Sequence, residues 1–419
     1  MTSRERIRAA LNHTQPNHVP VDFGSMPVSG IAVDTVWRLR QALGLDGPDG
    51  RVKVTEPYQM LGEIGEDLLA WLHADIIGLS GKINRIGIPN DNWKPWTTFG
   101  GSKVLVPGLF NTEPDKNGDI LQYPEGDRSV PPGLRMPKDG FYHDAIIRQK
   151  PIDDSSLDPE DNLEDFPLLT DTSIETLRKE LELVHDATGY AIAYTMPGGS
   201  LGNVAAVPAP WLKNPRGIRD IVEWYVSLAI RRDYINEVYD RQTDIGLKNL
   251  EKITRAFGNM IDIIYVTGTD FGCQRGPLMS PDVFGSLYKP HYKRINDYIH
   301  ANTTWKTFIH TCGGVRPLIE DIIEAGFDIL NPVQTSAEGM NLRELKEEFG
   351  DRIVFHGGGV DTQHILPHGT PDEVYDDVSE RISIMNRGGG YIFNTIHNIQ
   401  ADVPVENIKA MVRAIEDTF

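Results

Sequence analysis

Eight short apolar runs, spaced along the whole length, constrain this chain more than any other feature. They are "VPVDF" (19–23), "ADIIGL" (74–79), "AIAYT" (191–195), "IDIIYVTG" (261–268), "KTFIH" (306–310), "FDILNP" (327–332), "RIVFHG" (352–357) and "GYIFN" (390–394). Near-continuous apolar runs suit strands buried on both faces, as in a parallel sheet. Between the later runs, residues 315–326, 341–350 and 371–388 place apolar side chains at helical spacing. Eight strands alternating with helices predict an α/β fold, a (β/α)8 TIM barrel, with residues 1–419 as one barrel domain. A doubly wound open sheet is the rival, but no GxGxxG follows any early run.

The spacing breaks once, between the second and third runs. There, residues 81–150 are rich in Pro, Gly, Asp and Asn, with short β-like pieces such as "SKVLVPG" and "DILQYP". Such an insertion between barrel strands reads as a β-rich excursion, either a lid or a substrate-reading element.

Charge and composition exclude several functions. A formal net charge of −19, with no Lys/Arg cluster to overrule it locally, repels nucleic acid and anionic lipid. No run of 18 apolar residues exists, so no membrane span is expected. The opening "MTSRERIRAAL" is charged and helix-like and lacks the apolar core of a secretory signal. Two cysteines, Cys273 and Cys312, are too few for a disulfide framework and point to a reducing cytoplasm. A homodimer is compatible with all of this.

In a barrel the chemistry sits at the carboxyl ends of the strands. After these runs come Asp22, Met196, Asp270, Cys273, His310, Cys312, Gln334, His356, Asp361 and His397. The stretch "FIHTCGG" (308–314) is the most telling. In extended backbone, residues i and i+2 point to one side, so His310 and Cys312 aim together at a point above the barrel. One imidazole and one thiolate suit zinc, but a third ligand must come from another strand end, and His397 is the first choice. Three protein ligands with an open fourth position make a catalytic site. The bland alternatives are a hydrogen-bonding histidine and buried filler cysteines. The "HGGG" at 356–359 lacks a following Lys-Ser/Thr and reads as tight packing at the rim.

"TSRERIRAALNHTQPNHVPVDFG" at the start, "HTCGGVRPLIEDIIEAGFDILNPVQ" and "GGGVDTQHILPHGTPDEV" later, and "NIQADVPVENIKAMVRAI" at the end resemble the uroporphyrinogen decarboxylase superfamily. That resemblance spans nearly the whole chain and implies the same barrel. The decarboxylases proper bind an anionic porphyrinogen through an arginine-rich segment after the first strand; here "GSMPVSGI" follows it, with no arginine. The other branch is the cobalamin-dependent methyltransferases, including methylcobamide:coenzyme M methyltransferases and the methyl-transferring subunits of O-demethylases. In the coenzyme M enzymes an HxC pair and a distant Cys hold zinc. His310 and Cys312 match the pair, and His397 stands where the distant Cys is expected, which weakens the case for thiol activation.

The resemblance thus implies a zinc-dependent methyltransferase. It would move a methyl group between a small methylated substrate, such as a methoxylated aromatic, and the cobalamin of a separate corrinoid protein. No DxHxxG stretch of a corrinoid domain occurs in this chain. The expected metal ligands are His310, Cys312 and His397; the expected catalytic residues are Asp270 and His356. Asp22, Gln334 and Met196 are the expected substrate contacts. The alternatives are a metal-independent decarboxylase using Asp22 or Asp270, and a non-catalytic corrinoid-binding or ligand-binding barrel.

Overall fold

The structure, a computed structural model, describes all 419 residues except Pro48 and Ser80. Seven strands form one sheet in the order Tyr391–Ile392, Val354–His356, Ile329–Asn331, Lys306–His310, Ile263–Thr267, Ala191–Thr195 and Ile76–Leu79. Every neighbouring pair is parallel. The run at 19–23 supplies the eighth stave. Val21 bridges Phe393 in parallel on one side, and the Asp75 N–H donates to the Val21 carbonyl at 2.7 Å on the other. The result is the α/β barrel, with all eight apolar runs as its staves.

Two apolar layers fill it. The inner one contains Ile76, Ala191, Ala193, Ile263, Phe308, Ile329, Val354 and Ile392, one or two from each of the seven strands of the sheet. Helix Ser3–Leu11, whose Thr2 forms a capping box with Glu5, closes the bottom by adding Ile7, Ala10 and Leu11 to that layer. The outer layer lies between strands and surrounding helices, as in Arg232–Phe257 and Val405–Glu416, each amphipathic.

The bottom rim repeats one device. Asp75, Asp262 and Asp328 each stand just before a strand and accept the backbone N–H of the neighbouring one: Val21, Ile192 and Thr307, at 3.0, 3.0 and 2.8 Å. A buried carboxylate needs a counter-charge. Arg6 pairs with Asp75, Arg8 with Asp262 at 2.7 Å, and Lys306 with Asp328 at 3.0 Å. Arg6 and Arg8 come from the same N-terminal helix, so its polar stripe is fastened to the barrel just as its apolar stripe is.

Segment 81–150 carries the strands Lys94–Thr97, Lys103–Val106, Ile120–Gln122, Leu134–Met136 and Asp144–Ala145. The first two do not stand alone. Lys103–Val106 pairs in parallel with Val52–Glu56, which pairs antiparallel with Leu61–Gly62. The excursion therefore shares a sheet with the loop between the first and second staves. "VKVTE" alternates strictly, with Val52 and Val54 buried. That period-two pattern is the signal for this strand, but its partner lies about fifty residues downstream, beyond what local pattern reveals.

Candidate functional site

Three strand ends adjacent in the sheet put His310, Asn331 and His356 side by side, with His310 and Asn331 in register. Their side chains form one buried line. The Asn331 amide donates to His356 Nδ1 at 2.8 Å, so its oxygen is left to accept the His310 Nδ1 proton, at 2.5 Å. His356 Nε2–H then donates to Asp22 Oδ2 at 3.0 Å, and Ser25 Oγ donates to the same oxygen at 2.8 Å. Asp22, Asn331 and His356 have no exposed surface. This network sets the His310 tautomer: the proton sits on Nδ1, and Nε2 presents its lone pair to the barrel mouth.

Beyond His310 the chain turns. The Cys312 N–H donates to Asp270 Oδ1 at 2.8 Å, and Cys312 Sγ lies 3.4 Å from His310 Nε2. The turn needs Gly313. Its φ is 91°, its N–H donates to Gln334 Oε1 at 2.7 Å, and a Cβ there would stand 2.3 Å from the Gly272 carbonyl carbon.

His397 comes from the segment after the last strand, and its ring centroid is 5.2 Å from that of His310. One ligand atom each from His310, Cys312 and His397 lies within 4.8 Å of the other two, the sole such group among the described residues. Ligands of a tetrahedral zinc stand roughly 3.3–3.8 Å apart, so about an ångström of closure brings the three to bonding distance. Asp270 Oδ1, 3.8 Å from His310 Nε2, flanks the set.

Electrostatics suit a cation here. Burial depresses His310 to about 4 and His397 to about 3, so both rings are neutral ligands at neutral pH. Burial, then the neighbouring Asp270, pushes the Cys312 thiol well up, and burial raises Asp270 as well. Without a positive ion, thiol and carboxyl resist ionising together; a divalent ion removes that resistance. One adjustment is required. His397 Nδ1 accepts the Asn398 N–H at 2.8 Å. If Nδ1 binds metal, that lone pair is taken; if Nε2 binds, the proton moves to Nδ1. Either way the Asn398 bond is surrendered on loading.

The remaining residues singled out from the sequence fall elsewhere. Met196 packs on Gly199 and Gly246 in the outer layer, under helix Arg232–Phe257, and does not join the site. Gln334 spends its oxygen on Gly313. Asp22 and His356 sit behind His310, fully enclosed. Cys273 is exposed in a small hairpin with Gly276, not a buried filler. The "HGGG" segment is rim packing: a Cβ on Gly359 would meet the Phe393 ring at 2.3 Å. Sequence reasoning passes over Asn331, although it ends a strand directly beside the HxC strand. It also passes over Gln59 and Asn398, whose side chains meet at 2.9 Å.

The sequence model of the family described as Uroporphyrinogen decarboxylase (URO-D) matches residues 233–418. The chain is 23% identical to a uroporphyrinogen decarboxylase of Pelobacter propionicus over 60% of its own length and 66% of that protein. It is 22% identical to the methylcobamide:CoM methyltransferase MtaA of Methanosarcina barkeri over 48% of its length and 53% of that enzyme. The matched stretches thus span between about half and two thirds of these relatives. A solved methyltransferase from Methanosarcina mazei shares the fold over 100% of this chain and 99% of that one, with TM-score 0.54 and 17% identity. Residues 233–418 thus match the uroporphyrinogen decarboxylase family, and the chain is similar to relatives on both the decarboxylase and the methyltransferase side of that superfamily, with the barrel in common.

Proposed function

We propose that this protein is a methyltransferase that moves a methyl group between a small methylated substrate and the corrinoid of a separate protein. Its metal would be zinc, held by His310, Cys312 and His397. The observation that carries this reading is the convergence of those three ligand atoms to within 4.8 Å at the carboxyl rim, backed by the Asn331, His356 and Asp22 line. Bound zinc supplies a Lewis acid for charge developing on a leaving oxygen, which favours a methyl ether, such as a methoxylated aromatic, as donor.

The chain's own groups have separable tasks. Asn331 fixes His310 with Nε2 free, while His356 and Asp22 hold Asn331 in turn; all three are positioning residues rather than substrate contacts. Asp270 accepts the Cys312 backbone N–H, and its nearness holds the thiol up, so it is the group assigned to take the thiol proton when the sulfur becomes a ligand. Met26 and Val28 belong to the apolar layer with Tyr265 and Phe308, whose rings stack at 5.3 Å. They lie in the segment where the porphyrinogen decarboxylases carry arginines. An apolar wall there fits an aromatic ring and not a polycarboxylate. The excursion at 81–150 would cover the substrate and exclude water. A metal-independent lyase is less well supported, because Asp22, its candidate acid, is enclosed by Ser25 and His356.

Elemental analysis of protein purified without chelator should find about one zinc per chain, lost in His397→Ala. Reduced cobalamin and a panel of methoxyarenes, methanol and methylamines should give the methylcobalamin absorption with the methoxyarenes. A zinc-free enzyme that His397→Ala leaves fully active would sink the metal assignment. A silent panel would sink methyl transfer.

A further inference from the structure

One hydroxyl at the top of the inner layer has no partner in the chain. In strand Ile263–Thr267 the side chains alternate: Ile264 and Val266 join the outer layer, Ile263 and Tyr265 the inner one. Tyr265 stands in register with Phe308 of the neighbouring strand, and the two rings stack at 5.3 Å. Phe308 lies two residues before His310 on the same strand face, so Tyr265 belongs to the layer directly beneath the candidate ligands. Its ring rises one layer further. An ideal Cβ on Gly268, the residue that follows the strand, would stand 2.0 Å from the Tyr265 hydroxyl, so only glycine leaves room for that oxygen. The hydroxyl therefore lies where the strand ends open into the mouth, beside a residue two positions before Asp270.

The neighbouring polar groups are already engaged. The Asn203 amide donates to the Gly268 carbonyl at 2.6 Å, and the Gly268 N–H donates to Ser200 Oγ at 3.2 Å. Thr267 Oγ1 is 3.0 Å from both the Thr269 and the Tyr292 hydroxyl, and Thr269 Oγ1 donates to the Leu201 carbonyl at 2.7 Å. Among the described residues the Tyr265 hydroxyl has no hydrogen-bond partner, whereas Tyr225, Tyr239 and Tyr292 each place theirs on a group of the chain. Nor is it sealed. Tyr265 keeps 7% of its surface, and that remnant includes the hydroxyl oxygen; the Tyr391 hydroxyl, also unpartnered, is shut away completely. Burial above all pushes the Tyr265 phenol up, so it keeps its proton at neutral pH. An unmet O–H that opens on the mouth favours an occupant that brings an acceptor. Met26, Val28 and Phe308 share its layer, and against such side chains an uncharged acceptor costs less to bury than a carboxylate.

We propose that the Tyr265 hydroxyl is a substrate-binding donor that hydrogen-bonds the ether oxygen of an aromatic methyl donor in the mouth. The inference rests on the methyltransferase reading for what is bound, but the donor is tested without metal, corrinoid or turnover. The apolar layer holds the ring by shape, and Tyr265 fixes which edge of it faces the candidate ligands.

The test is calorimetric binding to the metal-free full chain of anisole and of ethylbenzene, which has a methylene in place of the oxygen. The anisole-to-ethylbenzene affinity ratio should fall about fivefold in Tyr265→Phe. Ethylbenzene binding should stay unchanged, which separates loss of the O–H from loss of packing. An unaltered ratio, an equal loss of both ligands, or no binding of anisole by the wild type would overturn the proposal. A ratio that falls as expected, in a protein that makes no methylcobalamin, would instead reject methyl transfer and keep Tyr265 as a donor. Methylcobalamin formation with an unaltered ratio would do the reverse.

Discussion

At the scale of single residues, Asn331 is the pivot of the site. It hydrogen-bonds both His310 and His356, spending its oxygen on one and its amide on the other. Replacing it by alanine frees the His310 ring to rotate and to adopt the other tautomer, while the ring itself remains. Loss of a positioning partner of this kind typically weakens metal binding about 10–100-fold. We therefore expect Asn331→Ala to lose zinc to a chromogenic chelator at correspondingly lower competitor concentration, with an unchanged far-ultraviolet spectrum. Unaltered zinc affinity would remove the buried line from the account. The HxC pair was legible in the sequence because it is local: two residues on one extended stretch. Asn331 was not, because its importance comes from lying next door in the sheet, and sheet order is not written in local pattern.

At the scale of elements, the turn at 56–60 depends on the excursion. His143 donates from Nδ1 to the Pro57 carbonyl at 2.9 Å, and its backbone N–H donates to the Tyr58 carbonyl at 3.0 Å. The Gln122 amide lies 3.4 Å from its Nε2, and its ring meets Phe110 edge-on at 5.8 Å. Burial lowers His143 from its ordinary 6.5 to about 4. The unfolded chain therefore binds this proton more tightly than the folded one. The resulting stability is fully present above 6.5 and is lost as pH falls toward 4. The linked loss is about 2 kcal/mol at pH 5. Urea unfolding at pH 7 and pH 5 should show a pH-dependent loss smaller by about that amount in His143→Gln, which cannot titrate. Equal losses in the two proteins would count against the assignment. The excursion's β character could be read from its short alternating pieces, but its sheet with Val52–Glu56 could not, since strand pairing across the second stave is a tertiary event.

For the molecule as a whole, the site couples to stability through the barrel's closure. His397 follows the last stave, which joins the first through Val21 and Phe393. His310 ends the fifth stave of the ring and Cys312 lies in the turn that follows it. A metal bound across them binds the folded chain and not the unfolded one. Zinc at about a thousandfold above its dissociation constant should add about 4 kcal/mol to the unfolding free energy, seen as a rise in Tm. His397→Ala should show little of that rise, and a rise of equal size would exclude His397 as a ligand.

The sequence by itself determined the eight staves, the order in which they alternate with helices, the long break after the second, and a histidine and a cysteine aimed the same way. Each of these is a local periodicity or a local spacing, and local sterics and burial suffice to write it. Only the tertiary structure decided which strand ends become neighbours. It therefore decided that Asn331 stands between two histidines, that Asp22 lies enclosed behind them, that Met196 faces the helices, and that Gln59 meets Asn398 beside His397. The physical reason is that closing a parallel barrel fixes contacts between residues hundreds of positions apart, and no local propensity encodes them.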